Sequence, residues 1–150
     1  MAKALCMRTF AFAILVVFGQ GCSWSVRFYV LNNSPTAKTV VIEVEKPSSG
    51  FVIFDPAQFA LLPLDDAEPQ YEKAVRVGRT THASTVEIPP HSALEIGYLN
   101  NDRYDNSRQQ FINGRVFNLK KITFGTSVVT RENFDSHFKK KGYGISWDLP

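Results

Sequence analysis

The sequence predicts a mainly β chain, an antiparallel β-sandwich carrying one or two short helices. Three observations predict it. Apolar residues alternate with polar ones over short runs such as "SVRFYVL" and "TVVIEVE". Those runs are separated by Gly, Pro, Asn and Asp clusters that punctuate strands. Helical periodicity is confined to two short stretches, so helices decorate the sheets rather than cover them.

The elements follow in order. Ser25 to Leu31 alternates, with Val26, Phe28 and Val30 on one face and Arg27, Tyr29 and Leu31 on the other. "NNSPT", Asn32 to Thr36, ends it with turn chemistry, and Asn32-Asn33-Ser34 also matches an N-glycosylation acceptor. Thr39 to Glu45 is the clearest strand, with Val40, Ile42 and Val44 on one face. A loop over Lys46 to Gly50 and an apolar segment from Phe51 to Phe54 lead into "DPAQFALL". That segment predicts a helix over Asp55 to Leu62: Asp55 caps, Pro56 takes the first helical position, and Phe59 pairs with Leu62 at i,i+3. Pro63 ends it.

Pro63 to Pro69 reads as an acidic loop, and Tyr71 to Gly78 as a strand. Ser84 to Leu99 predicts two strands around Pro89-Pro90, because paired prolines donate no ladder hydrogen bonds. Leu94, Ile96 and Tyr98 fall in phase on the second. A polar loop follows, from Asn100 to Ser107. Asn113-Gly114 predicts a hairpin turn within "QQFINGRVFNLKKITFG". Ser127 to Val129 closes a strand. Thr130 to Lys141 predicts a short amphipathic helix with Phe134 and Phe138 at i,i+4, stopped by Gly142. Tyr143 to Leu149 is the last strand. No repeat or low-complexity linker interrupts the run, so one domain is expected over residues 22–150.

The N-terminus carries a different message. Lys3 and Arg8 give it positive charge, Phe10 to Phe18 is an unbroken apolar run, and Gly19 and Gly21 are small. That order is a secretory signal over residues 1–21, and the run is far short of the roughly 20 residues that span a bilayer. "GQGC" resembles the lipobox of bacterial lipoproteins, which implies that Cys22 is acylated and becomes the first residue. Ordinary signal peptidase is the rival, with small residues at Gly19 and Gly21. Cysteine usage favours lipid: Cys6 lies in the leader, which leaves Cys22 as a lone thiol in an oxidising compartment unless it is modified. Stable anchoring takes more than one acyl chain. Ser23 after the cysteine resembles an outer-membrane address, which implies a lipid-anchored protein on the periplasmic or surface side of that membrane.

Removing residues 1–21 removes Lys3 and Arg8, leaving 15 basic against 14 acidic side chains. That balance argues against a nucleic-acid partner. No G-x-S-x-G occurs, and His82, His91 and His137 stand in polar or turn contexts beside no obvious nucleophile. No enzyme is therefore expected. No H-x-x-x-H, C-x-x-C or H-E-x-x-H occurs, and no cofactor motif. Two oxygen-rich clusters, Asp102 with Asp105 and Asn106 and Asp65 with Asp66 and Glu68, could offer Ca²⁺ ligands but read better as solvated turns. Lys139 to Lys141 reads as a solvated helix end, or as a contact for lipid phosphates or an acidic partner.

"FDPAQFALL" after an alternating strand resembles the corresponding segment of type VI secretion lipoproteins, carried by Phe54, Ala57, Phe59 and Leu62, with Pro90 matching the start of a later loop. The resemblance implies a transthyretin-like sandwich, within the transthyretin- or immunoglobulin-like class expected of the fold, that holds another envelope protein within a secretion assembly. The expected function is thus non-enzymatic docking of an envelope partner by a lipid-tethered domain. The alternative is a carbohydrate- or small-ligand-binding sandwich using loop aromatics such as Tyr104 and Trp147.

Overall fold

The computed structural model describes residues 24–46, 50–78 and 82–150. Cys22 and the leader lie outside the described residues. Eleven strands are described: β1 (Ser25–Asn32), β2 (Lys38–Val44), β3 (Ala60–Asp65), β4 (Glu68–Pro69), β5 (Val75–Arg76), β6 (Ala83–Ile88), β7 (Ser92–Asn100), β8 (Leu119–Phe124), β9 (Ser127–Val129), β10 (Lys139–Lys141) and β11 (Gly144–Asp148). One sheet runs β10-β11-β1-β7-β3-β4, with β5 also paired to β3; the other runs β6-β2-β8-β9. The sandwich is therefore the architecture, as the alternation predicts. Pairing is antiparallel except between β1 and β11, which run parallel from Phe28↔Ile145 to Leu31↔Asp148. The β10–β11 hairpin reverses the chain just before it joins β1, so the last strand enters alongside the first.

Alternation explains the core. Phe28, Val30, Leu94, Ile96 and Ile145 of the first sheet meet Val40, Ile42, Val86, Ile88 and Ile122 of the second in one buried cluster. Burying each such side chain contributes about 1.5–3 kcal/mol. Aromatic rings fill one end of this layer. Phe134 lies 4.0 Å from Phe138, 5.0 Å from Phe117, 6.0 Å from Phe28 and from Phe54, and 6.2 Å from Tyr104, by ring centroid. The outward face of β1 is not solvent: Tyr29 and Leu31 join Ala60, Leu62 and Ala93 in a second, smaller cluster.

Several expected elements are corrected. The helix over Asp55 to Leu62 is one 3₁₀ turn, Pro56–Gln58. Its cap is as expected, with Asp55 Oδ1 accepting the Ala57 amide at 3.0 Å, but the backbone then extends and Ala60–Asp65 pairs with β7. Phe59 enters the main core while Leu62 joins the outer cluster, a division that strand alternation achieves and a helical i,i+3 pair would not. The acidic loop is a tight β3–β4 hairpin whose two turn residues, Asp66 and Ala67, take positive φ of 46° and 65°. The strand over Tyr71 to Gly78 shrinks to β5, preceded by a 3₁₀ turn at Tyr71–Lys73.

Asn113-Gly114 turns the chain, with the Gly114 amide donating to the Phe111 carbonyl at 3.0 Å, but its flanks do not pair with each other. Phe111 and Phe117 both enter the core, and Val116 bridges Val52 in parallel. The hairpin lies later, between β8 and β9. The helix over Thr130 to Lys141 is a single turn, α1 (Phe134–His137). Phe138 is already extended, and Lys139 to Lys141 form β10 rather than a helix end. Asn32 is wholly buried, and its side-chain nitrogen donates to the Thr36, Ile88 and Pro89 carbonyls at 2.8, 3.0 and 2.9 Å. It pins the end of β1 to the paired-proline turn and offers no amide for glycosylation.

Candidate functional site

An open concavity rich in polar groups, a groove of about 460 Å³, lies on the outer face of the larger sheet. Register builds it. One row across the sheet runs Tyr29 (β1), Glu95 (β7), Ala60 (β3) and Arg76 (β5). Ala60 is small, so a trough opens between Glu95 and Arg76. Arg27 and Tyr98, a cross-strand pair one step along, close one end, and Tyr71 stands over the row from the 3₁₀ turn.

A β-bulge decides which residues face the groove. The β1–β7 register passes from Phe28↔Gly97 to Tyr29↔Glu95, so Ile96 is the extra residue. Leu94 and Ile96 point into the core, yet beyond the bulge Tyr98 comes out beside Arg27, against the simple alternation. Gly97 lets the Ile53 backbone pack against the bulge, since a Cβ there would stand 2.4 Å from the Ile53 carbonyl oxygen.

The charges are largely matched. Arg27 Nη1 lies 2.8 Å from both carboxylate oxygens of Glu95, which is 8% exposed. Burial alone would pull the guanidinium pKa down, but Glu95 outweighs it and the net shift is upward. The Arg27 guanidinium also sits 4.9 Å from the Tyr71 ring centroid. Tyr71 and Tyr29 share a hydroxyl–hydroxyl hydrogen bond, and burial, with that bond, raises the Tyr29 phenol above the ordinary tyrosine range. Arg76 donates to Gln58 Oε1 and carries no carboxylate partner among the described residues. Val75 beside it is 62% exposed.

The residues singled out in the sequence are not gathered here. Tyr104 and Trp147 are core residues, not loop platforms. Tyr104 is buried among Phe28, Phe111 and Phe134 and donates its hydroxyl to Asp135; Trp147 packs on Phe138 and His137. Of the first oxygen cluster, Asp102 is buried and accepts the Arg103 amide at 2.8 Å, Asp105 pairs with Arg103 at 2.7 Å, and Asn106 accepts the Arg108 amide at 3.0 Å. Asp65, Asp66 and Glu68 occupy the exposed β3–β4 hairpin. No group of three His, Cys, Asp or Glu poised for a metal ion occurs among the described residues.

His82 and His91 are exposed. His137 does contact a hydroxyl, Ser136 Oγ at 3.0 Å, but that hydroxyl donates to the Asn133 carbonyl at 2.6 Å, and His137 Nδ1 meets the same carbonyl at 3.0 Å. The nucleophile–base geometry of hydrolases requires a hydroxyl that donates to the imidazole, itself oriented by a carboxylate. Here the serine hydroxyl donates to a backbone carbonyl instead.

Sequence reading missed Arg27, Tyr71, Arg76, Glu95 and Tyr98 as a group. They lie on four segments, and only strand register joins them. No family model, no curated protein and no solved structure matches the chain. Among the described residues no helix is long and apolar enough to cross a membrane.

Proposed function

We propose that the protein is a lipid-anchored, non-enzymatic component of the bacterial outer envelope that docks another envelope protein through the groove on its larger sheet. The leader, Cys22 and Ser23 support the anchor. The groove supports the docking, and its single most telling feature is Arg76, a cation without a carboxylate partner among the described residues, beside the exposed Val75. An extended segment bringing one acidic and one apolar side chain would satisfy both, laid along the short edge strand β5.

The groove suits a protein better than a sugar. Sugar rings stack on open aromatic faces, and here guanidinium groups lie over both groove tyrosines: Arg27 over Tyr71, and Arg115 over Tyr98 at 5.4 Å. Tyr104 and Trp147 are buried in the core.

Photo-crosslinking tests the docking. A benzophenone side chain is placed at Tyr71, 43% exposed, or at the exposed Glu87 on the opposite sheet, in the native lipidated chain in envelopes. One discrete adduct is expected from position 71, absent from position 87 and lost with Arg76→Glu. No adduct at 71, or the same adducts from both positions, would overturn the docking surface.

A further inference from the structure

Three large apolar side chains stand in water at one end of the sandwich: Trp24 at 48% exposure, Phe51 at 74% and Ile112 at 85%. Hydrogen bonds tie their loops together. The Trp24 carbonyl accepts the Asn101 amide at 2.9 Å, and Asn113 Nδ2 donates to the Asn100 and Asn101 carbonyls at 3.1 Å each. The Val116 amide donates to the Phe51 carbonyl at 2.8 Å, and Arg115 reaches the Val52 carbonyl at 3.0 Å. Trp24, the 111–116 loop and the 51–52 segment therefore form one tip. The β10–β11 turn lies beside Ser25 and Val26 and brings the exposed Lys140 to its flank.

Covalent geometry bounds how far the proposed anchor can lie from this tip. Cys22 is two residues from Trp24, so its Cα lies within about 7 Å of Trp24's. The opposite end carries Asn32, the paired prolines and Leu149, whose amide donates to the Leu31 carbonyl at 2.9 Å.

We propose that this tip is seated in the bilayer interface, with Trp24, Phe51 and Ile112 entering the headgroup–acyl boundary while Arg115 and Lys140 face anionic lipid phosphates. The occupant is a lipid surface. A large aromatic beside the anchor, apolar side chains on hydrogen-bonded loop tips and flanking cations are the parts that interfacial binding uses. The seat turns one lipid attachment into a fixed orientation. The seven-stranded face then stands along the membrane normal and the Asn32 end points away from it. This inference rests on the anchor at Cys22 for its orientation.

The test uses the full lipidated chain reconstituted into vesicles of phosphatidylethanolamine and phosphatidylglycerol, with plain or brominated acyl chains. Two variants each add one indole at an exposed site: Ile112→Trp at the tip and Glu68→Trp in the far β3–β4 hairpin. Thermal melts verify that both fold. The added emission at 112 is expected to fall severalfold with brominated lipid, because a seated side chain lies roughly 5–10 Å into the boundary where bromine quenches. The emission at 68 is expected to stay unchanged. Equal quenching at both positions, or none at 112, overturns the seat. Flotation separates the two claims. A chain that floats without quenching at 112 keeps its anchor and loses its seat, and a chain that does not float loses both.

Discussion

Phe134→Ala is expected to destabilise the protein by about 3–5 kcal/mol, the range for removing a fully buried aromatic side chain. Phe134 is 0% exposed and meets five other rings, Phe28, Phe54, Tyr104, Phe117 and Phe138. These rings come from β1, the segment before the first 3₁₀ turn, the loop after β7, the approach to β8 and the residue after α1. The truncation therefore opens a void at the place where five segments converge. The melting temperature is expected to fall by roughly 10–20 °C for a domain of this size. Phe51→Ala, at an exposed position, is expected to stay within about 0.5 kcal/mol of the parent. Chemical denaturation of the two variants side by side checks both; similar small losses would mean that the aromatic cluster is not the keystone of the core.

The second large effect concerns a polar residue. Asn118 is buried, and one side chain satisfies three backbone groups: Oδ1 accepts the Phe54 amide at 3.0 Å, and Nδ2 donates to the Phe54 and Glu45 carbonyls at 2.8 and 3.0 Å. It joins the end of β2 to the irregular segment before β3, where no sheet ladder reaches. Asn118→Ala leaves the two Phe54 groups buried and unpaired at about 1–3 kcal/mol each before relaxation, while water can reach the Glu45 carbonyl, so a loss of roughly 2–4 kcal/mol is expected. Asn113→Ala removes hydrogen bonds at an exposed site, where water replaces them, and is expected to cost less than about 1 kcal/mol. Equilibrium unfolding that ranks the two variants the other way would contradict the bridging role of Asn118.

The sandwich was legible because alternation reports burial directly. Val40, Ile42 and Val44 face the core as their spacing requires, and the paired prolines sit in the β6–β7 turn where their missing donors cost nothing. Local chemistry was legible too, since Asp55 caps and Pro56 opens a turn as expected. How far each turn propagates was not. Phe59 with Leu62, and Phe134 with Phe138, fit helical spacing equally well, but sheet pairing with β7 and β11 takes the backbone after one turn. Asn113-Gly114 carries a hairpin signature, yet the core claims Phe111 and Phe117 on either side and no strand is left to pair.

The groove was illegible for a sharper reason. Arg27 and Glu95 are 68 residues apart, and they meet through the β1–β7 pairing, whose register skips Ile96. The same bulge brings Tyr98 out beside Arg27, where uninterrupted alternation would have put it with Leu94 and Ile96. A one-residue shift of register exchanges the two faces of a strand, and composition cannot report it.

Mass spectrometry of the chain isolated from bacterial envelopes is the most direct test of the lipid anchor on which the proposed role depends. The expected result is a polypeptide that begins at Cys22 and carries acyl chains through its sulfur and its amino group. A chain that retains residues 1–21, or one that begins with an unmodified residue, would contradict it.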